Sequence, residues 1–245
     1  MNYGKIIGVG NTAVVYEWGE NKVLKLFNLG YPKESIEKEF RNAKAIETMA
    51  FGKPKAYEII LNENQIGIIY NRIDGDSLLD WVIKTQDVNQ CAIYMAKLHK
   101  SILQNKISNV PSYKDFLKSN LECTPSVNSN NREETLLLLD KLLDEETLCH
   151  GDFHPGNILM SEGQLMVIDF MNICHGSYLY DVARTVFLVE YTPAPMDAEN
   201  RESILYLKKA LSTAYLKEMN VTREMIKDYL TVIVEARKGE CPDEY

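Results

Sequence analysis

The sequence predicts an α+β fold with two lobes, a small antiparallel β lobe with one helix and a larger, mainly helical lobe. Two observations predict it. Short β-branched and aromatic runs separated by turn residues dominate residues 1–74, with one amphipathic segment among them. Beyond Ser77, apolar residues recur at helical spacing in one segment after another. We therefore place the boundary so that the first lobe comprises residues 1–74 and the second residues 75–245.

The first lobe is expected to contain five strands and one helix. Runs such as "TAVVYEW" and "KVLKLF" combine β-branched and aromatic residues, and the turn-like "GEN" separates them. Strands are predicted at residues 3–8, 12–18, 22–27, 55–61 and 65–72. A helix is predicted over 33–51, because apolar side chains recur there at helical spacing, at Ile36, Phe40, Ala43, Ile46 and Ala50.

The second lobe is expected to be mostly helical. Helices are predicted over residues 77–84, 88–103, 113–121, 132–143, 200–219 and 222–238, with short strands at 157–160 and 164–170. The polar run from Pro125 to Asn131 predicts a loop, and residues 239–245 predict a loose tail.

Composition excludes several classes of function. The chain has 245 residues and a formal net charge of −8, which argues against a nucleic-acid binder, since such proteins carry a basic surface. No apolar run approaches the ~18 residues that a membrane span requires. The five cysteines are widely spaced without a CxxC pair, as expected of reduced thiols. We therefore expect a cytoplasmic protein without a nucleic-acid or membrane partner, whose ligands are neutral or cationic.

The stretch "HGDFHPGNIL" concentrates polar side chains just before an apolar run, and two interpretations compete for it. His150, Asp152 and His154 alternate, so on an extended strand they would face one way and could bind zinc. Alternatively, Asp152 is a catalytic base and Asn157 a magnesium ligand, as in phosphoryl transfer by kinases.

Lys25 interrupts the apolar strand "VLKLF", where an unpaired ammonium is costly. A helical projection of the following segment places Glu39 within its apolar arc, although Glu47 also falls there. We favour a Lys25–Glu39 pair, which in kinase folds positions the α and β phosphates of the nucleotide. A solvated edge lysine is the alternative.

Two further features bear on the choice. Gly8 and Gly10 lie between the first two strands, where they could let the backbone approach phosphates or simply form a hairpin turn. Asp169 ends an apolar strand twelve residues after Asn157, so it should face the cleft expected between the two lobes and join Asn157 around Mg²⁺.

The zinc hypothesis leaves Lys25, Asn157 and Asp169 unexplained. The glycine loop, lysine, glutamate, aspartate, asparagine and aspartate instead follow the order of a kinase fold.

The stretch "HGDFHPGNIL", followed by "VIDF" and "YDVAR", resembles the aminoglycoside phosphotransferase and choline kinase-like family, which has a protein-kinase-like fold. The resemblance runs from the glycine loop to "YDVAR". It implies a nucleotide-binding first lobe, a catalytic and acceptor-binding second lobe, and ATP or GTP with Mg²⁺ as cofactors.

The resemblance also implies roles for individual residues. Asn71 and Ile73 would offer backbone hydrogen bonds to adenine, with Tyr70 behind the base. Asp181 would brace the catalytic loop, and His99 would be a structural residue at a helix end. His154 and Pro155 would shape the loop.

Two departures from protein kinases matter for the substrate. Ala13 stands where those enzymes carry a third loop glycine, and only twelve residues separate Asp169 from Asp181. That spacing leaves no room for a peptide-docking activation loop, so a small-molecule acceptor is favoured. An aminoglycoside is the leading acceptor, while choline, a sugar, homoserine or another metabolite stays open. Nucleotide binding without turnover is the alternative function.

Acidic residues near the C-terminus could attract a polycation or form a solvated face, namely Asp197, Glu199, Glu202, Glu235, Glu240, Asp243 and Glu244.

Overall fold

The first lobe is built on a five-stranded antiparallel sheet with the strand order β1-β2-β3-β5-β4. In this computed structural model, residues 3–62, 64–123, 129–193 and 201–242 are described. The strands are β1 (Ile6–Val9), β2 (Ala13–Glu17), β3 (Lys22–Phe27), β4 (Ala56–Asn62) and β5 (Gln65–Asn71), and α1 (Lys33–Ala45) lies between β3 and β4.

The central strand β3 shows why the lobe folds this way. Its side chains alternate between the two faces of the sheet. Leu24 and Leu26 pack with Ile69 in a small cluster on one face. Phe27 follows the same alternation onto the face that carries Lys25, and it joins the main core together with Ile36 of α1. Lys25, between the two leucines, therefore points to the α1 side of the sheet.

The second lobe is mainly helical and carries two small sheets. The helices α3 and α7 pack together, and α4 and α6 pack on α8. The sheets have the orders β6-β8-β9 and β7-β10. In chain order the elements are β6 (Asp76–Ser77), α2 (Leu78–Thr85), α3 (Val88–Leu103), α4 (Tyr113–Cys123), α5 (Ser129–Lys141), β7 (Thr147–Cys149), a 3₁₀ turn (Pro155–Asn157), β8 (Ile158–Ser161), β9 (Gln164–Val167), β10 (Cys174–Gly176), α6 (Tyr178–Val186), a π-helix (Phe187–Tyr191), α7 (Arg201–Met219) and α8 (Arg223–Glu240).

The predicted α+β class, with a small β lobe and a helical lobe, is confirmed. Several predicted boundaries are wrong. The first helix ends at Ala45 rather than at residue 51, because the following backbone bonds tighten to i→i+3, as from the Glu47 N–H to the Lys44 carbonyl. Ala50 is accordingly exposed.

Further errors lie in the second lobe, where the strand predicted over residues 164–170 ends at Val167. Ser129–Asn131, expected in a loop, form the first turn of α5, since Ser and Asn also favour helix starts. Gly239 and Glu240, expected in a loose tail, complete α8. The rest of the predicted loop, 125–128, and the tail residues 243–245 lie outside the described residues. Among the described helices, none is long and apolar enough to cross a bilayer.

Helix α1 is tied directly to the second lobe. The Asn42 side chain is 3% exposed, and its Nδ2 donates to the carbonyl oxygens of Phe170 at 2.8 Å and Met171 at 3.3 Å. The Val167 N–H also donates to the Gly52 carbonyl at 2.9 Å. These bonds hold the helix of the first lobe against the segment that carries Asp169.

We expect Asn42→Ala to lower the free energy of unfolding by about 0.5–1.5 kcal/mol, because it removes the 2.8 Å hydrogen bond to the Phe170 carbonyl and leaves only the weaker bond from the Ile173 N–H at 3.4 Å. Urea denaturation measures the change. The matched control is Asn89→Ala, at an exposed position of α3, which should change stability by less than about 0.5 kcal/mol. Equal stability of the two variants would contradict the assignment of this contact.

Candidate active site

Lys25 lies between two carboxylates that come from different parts of the chain. Its Nζ is 2.8 Å from Glu39 Oε1 on α1 and 3.1 Å from Asp169 Oδ1, just beyond β9. The lysine side chain is 15% exposed and that of Glu39 only 1%. Burial lowers the pKa of Lys25, but the two carboxylates outweigh it and raise the pKa above its ordinary value. The expected pair with Glu39 is present.

Tyr70 completes this cluster. Its hydroxyl donates to Glu39 Oε1 at 2.9 Å, and its ring lies 6.5 Å from that of Phe170. Burial and the adjacent carboxylate raise the pKa of Tyr70 well above its ordinary value, so it stays a neutral donor. Glu47, the other glutamate in the helical arc, instead pairs with Lys44 and Lys55 near the surface.

The turn before Asp152 is held by the carboxylate of Asp181. This fully buried side chain accepts from the N–H of His150 at 2.6 Å and of Gly151 at 2.9 Å, and it lies 2.9 Å from His99 Nε2. Burial raises the pKa of Asp181, but His99, the nearby imidazole of His150 and the Gly151 N–H bring it below its ordinary value. His99 itself lies in the last turn of α3 and also contacts the Tyr215 hydroxyl at 2.5 Å.

Asp152 and Asn157 face each other across the 3₁₀ turn. Asn157 Nδ2 donates to the Asp152 carbonyl at 2.9 Å and to Asp152 Oδ2 at 3.0 Å. Asp152 is a quarter exposed, so solvent reaches its carboxylate. The amide of Asn157 donates through nitrogen, which leaves its oxygen directed away from Asp152.

The β8–β9 hairpin brings Asn157 close to Asp169. Ile158 pairs with Val167, and the Ile168 N–H donates to the Asn157 carbonyl at 2.9 Å, which extends the pairing by one step. Burial raises the pKa of Asp169, but Lys25 lowers it below its ordinary value, so the group is a carboxylate at neutral pH. An amide oxygen and a carboxylate near the same hairpin end fit Mg²⁺, which takes few protein ligands.

The structure contradicts the zinc hypothesis. His150 is fully buried, with Nε2 3.2 Å from the Ile168 carbonyl and Nδ1 accepting from the Asp152 N–H at 3.3 Å. His154 Nδ1 accepts from the Gly156 N–H at 3.1 Å. Both rings are thus engaged by backbone, in the loop-shaping role expected for His154. Within the described part of the chain, no three His, Cys, Asp or Glu side chains are grouped to hold a metal.

The glycine loop forms a tight hairpin, and the Gly10 N–H donates to the Ala13 carbonyl at 2.9 Å. A Cβ atom added at Gly10 would lie 3.6 Å from its nearest neighbour and one at Gly8 3.7 Å, both ordinary contacts. The turn itself therefore does not require glycine at either position. Whether the loop covers phosphates stays a prediction.

At the end of β5, the Asn71 N–H donates to the Lys55 carbonyl at 3.0 Å. The Ile73 N–H has no backbone acceptor among the described residues. Binding of adenine at this segment stays a prediction.

Sequence reasoning missed the role of Arg184. This side chain is 1% exposed, and its Nε donates to the Gly151 carbonyl at 3.2 Å. Its position within "YDVAR" was the only signal.

Among the acidic residues near the C-terminus, Glu202 is exposed, Glu235 pairs with Lys238, and Glu240 pairs with Arg184. Asp197, Glu199, Asp243 and Glu244 lie outside the described residues.

A β lobe whose strand lysine pairs with a helix glutamate, above a helical lobe with an aspartate–asparagine turn, defines a protein-kinase-like phosphotransferase. The family comparison agrees: residues 5–210 match the model of the APH phosphotransferase enzyme family. The chain belongs to this family. No curated protein sequence matches it.

Solved structures share the fold at low sequence identity. Aminoglycoside phosphotransferase APH(4)-Ia is 14% identical, with a TM-score of 0.67 over 97% of this chain and 85% of that one. Amicoumacin kinase hAmiN, solved with AMP-PNP, Ca²⁺ and Ami, is 15% identical, with a TM-score of 0.64 over 98% and 81%. APH(3'')-Id from Streptomyces rimosus, solved with ADP and streptomycin, is 11% identical, with a TM-score of 0.60 over 91% and 90%.

We expect the protein to lose stability as the pH falls below about 6.5. Burial lowers the pKa of His150, so below the ordinary value of about 6.5 the unfolded chain binds a proton that the folded chain refuses. The loss from this group is at most about 1.4 kcal/mol per pH unit and ends once the pH passes below the folded-state pKa.

Urea denaturation between pH 7.5 and 5 measures this dependence, and His150→Gln should flatten it. An equally steep dependence in the variant would show that His150 is not its source.

Proposed function

We propose that this protein is a Mg²⁺-dependent kinase that transfers the γ-phosphate of a nucleoside triphosphate to a hydroxyl group of a small molecule. The observation that carries the proposal is the position of Lys25, held by Glu39 and Asp169 beside the turn that presents Asp152 and Asn157. Phosphoryl transfer depends mainly on positioning and on charge stabilisation, and these residues supply both.

The first lobe, residues 1–74, would bind the nucleotide. Lys25 would contact the α and β phosphates, because Glu39 holds its ammonium in place and charged. The backbone of Asn71 and Ile73 would bind the base, with Tyr70 behind it, and the loop at Gly8 and Gly10 would cover the phosphates. Because the base contacts come from backbone, both ATP and GTP fit this description.

The second lobe, residues 75–245, would carry the metal, the catalytic group and the acceptor. Asn157 and Asp169 would hold Mg²⁺, which supplies positive charge to the transferring phosphate. Asp152 would accept a hydrogen bond from the acceptor hydroxyl and orient it, with Asn157 fixing the carboxylate.

The short segment between Asp169 and Asp181 favours a small acceptor over a peptide. Only β10 lies in this interval before α6 begins, and it pairs with β7, so no segment extends to dock a peptide. We propose an aminoglycoside-type antibiotic as the leading acceptor, supported by the structural neighbours and by the net charge of −8. Choline, a sugar, homoserine or another metabolite would use the same site. The five cysteines are thiols rather than halves of disulfides, which supports a cytoplasmic location.

We expect Lys25→Ala to weaken nucleotide binding by about 10- to 100-fold, because a hydrogen bond to a charged group contributes about 1.5–3 kcal/mol. Calorimetric titration with Mg²⁺–ATP measures the change. Lys22→Ala is the matched control, since Lys22 lies on the same strand but its ammonium rests over the Tyr57 ring. Equal affinity in both variants would remove Lys25 from the site.

The direct test of function is ADP release with Mg²⁺–ATP across a panel of aminoglycosides, choline, homoserine and sugars. We expect one class of acceptor to stimulate release, and Asp152→Asn to reduce it by at least about 100-fold without changing nucleotide affinity. If no acceptor stimulates release while the nucleotide still binds, a binding module without turnover would be favoured.

A further inference from the structure

The last helix ends at a buried ion pair. Glu240 closes α8, and its side chain is only 17% exposed. Its Oε1 accepts from Arg184 Nη2 at 2.5 Å and lies 3.2 Å from Arg237 Nη1. Burial raises the pKa of Glu240, but Arg184 and Arg237 lower it below its ordinary value, so the group is a carboxylate.

Arg184 connects Glu240 to the turn that carries Asp152. It lies on α6, and its Nε donates to the Gly151 carbonyl at 3.2 Å, while Nη2 of the same guanidinium contacts Glu240. One rigid, planar group therefore joins the end of α8 to the residue just before Asp152. Arg184 Nη1 has no acceptor among the described residues, so the bond from Nη2 to Glu240 is the contact that this guanidinium makes with a carboxylate there.

Gly151 is thus held from both sides. Its N–H donates to Asp181 Oδ1 at 2.9 Å, and its carbonyl accepts from Arg184. Its φ of +74° belongs to the left-handed region, and an added Cβ would lie 2.3 Å from the Asn172 carbonyl oxygen. Because glycine adopts positive and negative φ about equally well, the hydrogen bonds with Asp181 and Arg184 are what select this conformation.

We propose that Arg184 and Glu240 form a positioning pair, through which the end of the last helix sets the orientation of Asp152. Neither residue touches the reacting groups. Glu240 lies beyond residues 5–210, which match the family model, so the pair is completed by a part of the chain outside that match. The consequence for turnover rests on the proposed kinase function, whereas the consequence for the turn does not.

Glu240→Gln tests the proposal, since it keeps the shape of the side chain and removes its charge. Glu224→Gln is the matched control, the same substitution at an exposed position of the same helix. The first readout is hydrogen exchange of the peptide that covers residues 148–157, which needs no substrate. We expect faster exchange of this peptide in Glu240→Gln and no change in Glu224→Gln.

The second readout separates positioning from general stability. We expect Glu240→Gln to lower kcat by about 10- to 100-fold, because a displacement of about 1 Å at a catalytic group can have that effect, while KM for the nucleotide changes less than about twofold. Arg184→Lys should act in the same direction, since an ammonium cannot reach the Gly151 carbonyl and Glu240 with the geometry of a guanidinium.

Unchanged exchange over residues 148–157 in Glu240→Gln would overturn the proposal, as would an equal fall of kcat in Glu224→Gln. If the unmutated protein transfers phosphate to no acceptor while Glu240→Gln still loosens the turn, the proposed function fails and the positioning pair stands.

Discussion

The buried ammonium of Lys25 is the constraint on which the two lobes depend. An ammonium with so little exposure is stable only beside opposite charge, and its carboxylates come from α1 in the first lobe and from the segment after β9 in the second. The contacts of Asn42 and Gly52 across the lobes keep these elements in register. Two carboxylates around one ammonium leave a net negative charge, which suits a metal-bound nucleotide better than a bare one.

A second pair of buried charges organises the turn that carries Asp152. Asp181 and Arg184 lie one helical turn apart on α6 and bind the N–H and the carbonyl of the same residue, Gly151. The turn that carries Asp152 is therefore supported by one helix through a carboxylate and a guanidinium. These buried hydrogen bonds fix its backbone, while the Asp152 carboxylate accepts from Asn157 and stays partly open to solvent.

The regular spacing of apolar residues made much of this fold predictable. Contacts between residues far apart in the sequence could not be predicted. Lys25 could be found because a lysine within an apolar strand needs a partner, and α3 because its apolar spacing is regular. Glu240 was predicted in a tail because Arg184 is 56 positions away, a separation that no local pattern reveals. The zinc hypothesis assumed an extended strand, and the left-handed Gly151 breaks that alternation.

Transfer of phosphate to a small molecule is best tested by following a labelled γ-phosphate after the protein is mixed with Mg²⁺–ATP and each acceptor. Mass spectrometry of the products distinguishes transfer from hydrolysis. We predict that the label moves to a hydroxyl of one acceptor class. Label found only in inorganic phosphate, whichever acceptor is present, would contradict it.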